Sequence, residues 1–173
     1  MAGNPQQKST LNKTLLYIVK LLYHYNMTQW FIAYGTLLGI VRNKSCIDGD
    51  DDIDIVCNQM DTEKLKHLFT LNGFKITLVY NHFFRIEKNN YSPVDFYCAT
   101  VNGDDYHDVW ENSIWKNASL NGTFIKKKWH GTYLQLPYQY VTKLKKRYGK
   151  TWRIPLKSKG TQKTRDKLKI EIL

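Results

Sequence analysis

Acidic side chains all but vanish from the last 48 residues of this 173-residue chain. Residues 126–173 hold Asp166 and Glu171 against 15 Lys and Arg, a net +13. The first 125 residues hold 13 acidic and 11 basic side chains, a net −2, so the overall charge of +11 is a property of the C-terminal part. That distribution excludes a uniformly basic, histone-like protein. Long apolar runs are missing too. The stretch "TLLYIVKLLYHY" from Thr14 falls short of the roughly 18–20 residues of a membrane span and contains Lys20 and His24. The opening "MAGNPQQKST" lacks the apolar core of a signal peptide. A cytoplasmic protein is therefore expected, with peripheral membrane contact confined to the basic C-terminus. The Lys-, Asn-, Ile- and Tyr-rich composition suits a bacterial or viral source. Only three cysteines occur, none in a Cys-x-x-Cys pair, which excludes a disulfide framework and a zinc ribbon. What is present, 42% hydrophobic and 14% aromatic residues, suffices for a packed core rather than a disordered basic polypeptide.

Apolar residues at Leu11, Leu15, Ile18, Val19 and Leu22 trace one face of a helix over Lys8–Tyr25, with Ser9 or Thr10 as N-cap. "QWFIAY" reads as a short buried strand broken by Gly35-Thr36 before a helical "LLGIVR". Ile53–Cys57 reads as the next strand, and Asp61 as the cap of a helix over Thr62–Leu71 that stops at Gly73. "FKITLVY", "FFRIEK" and "VDFYCATV" are three further strands, and Asn102-Gly103 and Asn121-Gly122 mark turns. "YQYVTKLKKRY" predicts a basic helix stopped by Gly149, and Lys157–Leu173 an arm or terminal helix. The order predicts an α+β fold with a mixed sheet flanked by helices and a small basic helical C-terminal segment. Residues 1–156 form the expected catalytic domain and 157–173 the arm.

The sharpest anomaly is "DGDDDID", with Asp48, Asp50, Asp51, Asp52 and Asp54 within seven residues. Two like charges about 4 Å apart repel by about 1 kcal/mol in water and about 4 kcal/mol at an effective dielectric of 20, so such a run invites a cation. Strand alternation sends Asp50, Asp52 and Asp54 to one side and Ile53 and Ile55 to the other. Converging carboxylate oxygens suit Mg2+ or Mn2+. A calcium loop is excluded because its sixth position, here Ile55, requires Gly and its twelfth, here Asp61, requires Glu. A plain solvated acidic turn fits poorly beside β-branched strand residues. Gly35-Thr36 stands at a strand-to-helix turn, where backbone N–H groups can face a phosphate, and Asp95 is a lone carboxylate in a later strand. A phosphate-cradling turn, paired strand carboxylates and a third carboxylate are the layout of a nucleotidyltransferase-like site.

The segment Tyr34–Val56, "YGTLLGIVRNKSCIDGDDDIDIV", closely resembles the signature of the LicD/fukutin family of phosphotransferases, in which G-T-L-L-G, an Arg and D-D-D-x-D-I follow in this order. "PVDFY" around Asp95 and "RYGKTWRIP", Arg147–Pro155, extend the likeness. Asp48-Gly49 stands where that family commonly has Pro-Trp. The resemblance implies a nucleotidyltransferase-like fold and a transferase that moves a phospho-alcohol or phospho-sugar from a CDP-linked donor to a glycan or glycolipid hydroxyl. It implies that Asp50, Asp52, Asp54 and Asp95 hold Mg2+ or Mn2+, with Asp52, Asp54 and Asp95 catalytic and Asp95 one candidate to take the acceptor's proton. Gly35, Thr36 and Arg42 would bind the donor phosphates. Arg85, in a predicted strand, is a further candidate for those phosphates.

Two rival functions use the same residues differently. A nucleotidyltransferase adding a nucleoside monophosphate to RNA or a small molecule would use the same carboxylates, with the Lys126–Lys128 run on nucleic acid. A non-catalytic nucleic-acid-binding module would use the basic C-terminus alone and leave the aligned carboxylates without a role.

Overall fold

The computed structural model describes residues 3–155 and 169–173. Helix α1, Lys8–His24, buries Leu11, Leu15, Ile18, Val19 and Leu22 completely, as their spacing dictates. Its cap differs from the expected Ser9 or Thr10, because the helix begins earlier. The Lys8 N–H donates to Asp48 Oδ1 at 2.9 Å, so the first acid of the run sits at the positive end of a helix. Strand β1, Trp30–Ile32, is followed by α2, Tyr34–Asn43. The predicted helix was to start at Leu37. It starts at Tyr34 instead, and Gly35 and Thr36 lie inside its first turn.

Strand β2, Ile53–Asn58, runs into a 3-10 turn, Gln59–Asp61, and α3, Thr62–Leu71. The expected cap, Asp61, makes no side-chain capping bond. Asn58 accepts from the Met60 N–H at 3.0 Å and caps the preceding turn. Then come β3, Lys75–Tyr80, β4, Phe83–Glu87, β5, Val94–Asn102, β6, Asp105–Asp108, and β7, Ser113–Trp115. A separate hairpin of β8, Ile125–Trp129, and β9, Thr132–Leu136, turns at His130-Gly131, both with positive φ. Helix α4 spans Tyr140–Tyr148. The end of the chain, read from sequence as an arm or terminal helix, finishes as β10, Glu171–Ile172, parallel to β7. The rest of that expected arm lies outside the described residues.

The main sheet is mixed, in the order β1-β2-β5-β6-β7-β10, with β4 and β3 branching from β5. β2 and β5 pair in parallel at its centre, so Asp54 stands beside Asp95. One face packs on α3 through Phe69, Phe84 and Phe96. The other face carries the candidate site. The three cysteines are buried and free, with Cys57 and Cys98 directly opposite each other. Among the described residues no helix is long and apolar enough to cross a membrane.

Candidate functional site

Because side chains two residues apart share a strand face, pairing alone arranges the site in rows. One row crosses the sheet as Leu78, Arg85, Asp95 and Asp54, and the next as Tyr80, Phe83, Tyr97 and Val56. A charged row thus lies beside an aromatic one.

Asp54 is 6% exposed and held on several sides. The Thr36 N–H donates to its Oδ2 at 3.2 Å, and the Tyr97 hydroxyl to its Oδ1 at 3.1 Å. Its own N–H donates to Thr36 Oγ1 at 2.9 Å. The α2 N-terminus therefore faces a protein carboxylate, and Thr36 orients Asp54 with both its polar groups. Gly35 has a steric reason to be glycine. A Cβ there would meet Asp50 Oδ2 at 2.6 Å and Asp54 Oδ2 at 3.3 Å, so the two carboxylates close over its backbone.

Arg85 lies opposite Asp95 in register and reaches it twice, Nε to Oδ1 at 2.5 Å and Nη2 to Oδ2 at 2.8 Å. Nη2 also donates to Asp52 Oδ2 at 2.7 Å. A strand Arg that pairs with the buried Asp95 and the half-buried Asp52 is built into the site. Arg42 is placed differently. It lies in the last turn of α2, six residues or about 9 Å of helix from Thr36. Its buried Nε finds no hydrogen-bond partner among the described residues.

The local charge is unbalanced. The guanidinium of Arg85 pairs with Asp52 and Asp95, while Asp50 and Asp54 crowd together over Gly35. Burial, then the neighbouring Asp54, Asp95 and Asp51 charges, pushes the Asp52 carboxyl up to about 10, against the pull of Arg85. Burial, then Asp50 and Asp95, pushes Asp54 well up, offset by its bonds from Thr36 and Tyr97. Among the described residues no three His, Cys, Asp or Glu side chains form a ready-made metal cage, since Asp52 and Asp95 close on Arg85. The donor set nevertheless fits a hard divalent cation. All its ligand atoms are carboxylate oxygens, and the charge the fold leaves uncompensated is the charge such an ion neutralises. The other two acids of the run are structural, Asp48 at α1 and Asp51 accepting from the Gly3 N–H.

Several site residues escaped the sequence reading. Tyr34, in the left-handed region at φ 43°, donates its hydroxyl to Asp108 and packs edge-on against Tyr97 at 4.8 Å. A bulky residue there is strained, a feature of tightly determined sites. Arg147 of α4 lies 4.0 Å from the Tyr34 ring and pairs with Glu111 and Glu171. Burial pushes the Tyr148 phenol up, against the charge of Arg147, and the Asp54 and Asp50 charges add to the rise. The motif that opens with Arg147-Tyr148 was the available signal. On the far side of the charged row, a cleft of about 630 Å³ is lined by Gln6, Lys75, Thr77, Glu87, Tyr91 and Pro93. Glu87 and Pro93 are the same-face neighbours of Arg85 and Asp95.

Solved structures similar to this one include an adenylyltransferase and a protein described as a nucleotidyltransferase. The lincosamide antibiotic adenylyltransferase LnuA bound to lincomycin is 18% identical, with 76% of this chain and 83% of that chain covered and a TM-score of 0.58. The antibiotic-resistance factor ANT(2″)-Ia is 14% identical over 76% of this chain and 66% of that one, with a TM-score of 0.57. A protein described as a nucleotidyltransferase from Thermotoga maritima is 16% identical over 82% and 87%, with a TM-score of 0.52. These likenesses establish the fold. Among curated proteins none matches the sequence. Residues 27–156, which carry β1 through α4 and every carboxylate of the cluster, match the model of the LicD/FKTN/FKRP nucleotidyltransferase domain, and the chain belongs to that family of transferases.

Proposed function

We propose that this transferase moves a phospho-alcohol or phospho-sugar group, of the phosphocholine or ribitol-phosphate type, from a CDP-linked donor to a hydroxyl of a glycan or glycolipid. The observation that carries the reading is the gathering of Asp50, Asp52, Asp54 and Asp95 at the start of the paired strands β2 and β5, with Arg85 bonded to Asp52 and Asp95. Asp50, Asp52, Asp54 and Asp95 would hold Mg2+ or Mn2+, which when bound supplies positive charge to the donor diphosphate. Phosphoryl transfer asks the protein mainly for alignment and charge neutralisation. Thr36 and Tyr97 fix Asp54, and the Gly35 backbone leaves room for the crowded carboxylates. Arg85 orients Asp95 and can turn its fork to a phosphate oxygen. The acceptor oxygen bonds to the phosphorus that carries the alcohol, the bond from that phosphorus to the bridging oxygen breaks, and CMP leaves. The acceptor's proton passes to Asp95 once Arg85 has turned to the phosphate.

The test is CMP release from CDP-choline or CDP-ribitol with a glycan acceptor and Mg2+. The Asp52→Asn, Asp54→Asn double variant should release none and melt no lower than the parent, because Asn keeps each side chain's shape and burial already pushes both carboxyls toward the neutral form. CMP release persisting in that variant would sink the reading. The adenylyl- and nucleotidyltransferase folds among the similar structures favour one second reading, transfer of a nucleoside monophosphate from a nucleoside triphosphate. That reaction releases pyrophosphate rather than CMP, so the same assay separates the two.

A further inference from the structure

The aromatic row beside the carboxylates ends in side chains that the fold leaves half open. Trp110, in the turn between β6 and β7, lies nearly parallel to Phe83 at 4.7 Å and 20° and leans on Tyr80 at 4.9 Å and 32°. Trp110 is 42% exposed and Tyr80 48%, while Phe83 beneath them is buried. Large aromatic side chains are normally covered, and several of them stacked in the open mark a contact surface. The stack is tied to the chemistry. Phe83 packs on Tyr97 at 5.5 Å, and Tyr97 donates to Asp54. Phe83 is also two residues, about 7 Å along the strand, from Arg85, which grips Asp95.

We propose that the open face of Trp110, supported by Phe83 and Tyr80, is the stacking platform for the base of the donor nucleotide. This rests on the donor being a nucleoside diphosphate, as proposed above. Trp110 is a large flat ring, partly open to solvent and backed nearly in parallel by Phe83, with Tyr80 tilted beside them, a surface on which a planar base can stack. With the base on Trp110, the diphosphate runs along the sheet face to Arg85 and the carboxylates. The cleft beyond Glu87 and Pro93 is then left for the other substrate.

The test is equilibrium binding of CDP, inorganic pyrophosphate and phosphocholine, each with Mg2+, to the full chain and to Trp110→Ala, Trp110→Phe and Tyr80→Ala variants. Trp110→Ala should weaken CDP about tenfold, the loss expected of one base stack, and leave pyrophosphate unchanged. Trp110→Phe should restore most of the CDP affinity, and Tyr80→Ala should give a smaller loss. CDP affinity unchanged in Trp110→Ala overturns the assignment. So does a parallel loss of CDP and pyrophosphate, which would mark Trp110 as a support of the fold alone. Loss of phosphocholine binding with CDP retained would place the transferred group on the platform and overturn it as well. If the parent chain binds pyrophosphate but not CDP, the nucleotide-donor reading itself fails, and the platform loses its occupant.

Discussion

Gly35 is the residue at which the site tolerates least. Its missing Cβ is the space that Asp50 and Asp54 occupy, so Gly35→Ala must displace the Asp50 carboxylate by close to an ångström. Misplacement on that scale costs about a hundredfold in rate, and transferase activity should fall by that order while the melting temperature moves little. Thr36→Val removes the acceptor for the buried Asp54 N–H and should cost about 1–3 kcal/mol in urea denaturation, with Thr36→Ser close to the parent. Asp108 supplies a pH signature. Burial, with the Glu111 charge adding, pushes its carboxyl up to about 6, against the bonds from Tyr34 and the Glu111 N–H and the charge of Arg147. The folded state therefore holds this proton more tightly than the unfolded chain, whose Asp ionises near 4. The sign follows: this contribution is complete below about pH 4 and is lost as pH rises to 6, about 3 kcal/mol in all. Measured by denaturant titration, the stability difference between the parent and Asp108→Asn should drift by that amount across the window. A flat difference would show that Asp108 keeps its ordinary acidity.

At the scale of elements, α4 and β10 act as one clasp. Arg147 lies over the Tyr34 ring and pairs with Glu111 before β7 and Glu171 in β10. Lys143, buried on α4, donates to the Lys116 carbonyl at 2.5 Å, and Leu173 is buried against the same region. Removing residues 169–173 takes away β10, the Glu171 partner and the buried Leu173. The expected result is a lower melting temperature, by roughly 4–8 °C for each kcal/mol in a domain near 100 residues and less in one of this size. Activity should fall with it, because Tyr148 and the strained Tyr34 turn rely on the same helix. Arg147→Met should reproduce part of both effects. The clasp also shows why the elements were unequally legible. Helix α1 and strands β2, β4 and β5 announce themselves through period, since burial on one or both faces imposes it. Strands β6, β7 and β10 are two to four residues long, too short to show a period, and β10 pairs with β7 from far along the chain. In the β8–β9 hairpin, the run Lys126–Lys128 hides a strand whose covered side is supplied by Trp129 and by Leu134 and Leu136 across it.

For the whole molecule, charge is the governing variable. The net −2 of residues 1–125 includes the entire carboxylate cluster, and the net +13 beyond them includes α4. An anionic donor approaching the site is drawn by the second field and needs a cation to enter the first. The KM for a diphosphate donor should therefore rise with ionic strength between about 0.05 and 0.3 M, where the Debye length shrinks below the span of the basic surface, while kcat stays nearly constant. Steady-state kinetics over a salt series at fixed Mg2+ checks this. A KM indifferent to salt would confine the role of the basic part to packing.

The chain by itself determined the family signature, the order of the principal elements and the identity of the acids. These are local facts: a five-carboxylate run, a Gly-Thr turn and an isolated Asp95 are visible in one dimension because each rests on neighbours in sequence. Tertiary structure decided how those parts are used. It separated Asp48 and Asp51, which serve α1 and the N-terminal segment, from Asp50, Asp52, Asp54 and Asp95, and it turned Thr36 toward Asp54. It also brought Arg85 between two acids and left Arg42 about 9 Å of helix away. The physical reason is register. Asp54, Asp95 and Arg85 come from three strands separated by up to forty residues, and only the pairing of β2, β5 and β4 sets which side chain stands beside which.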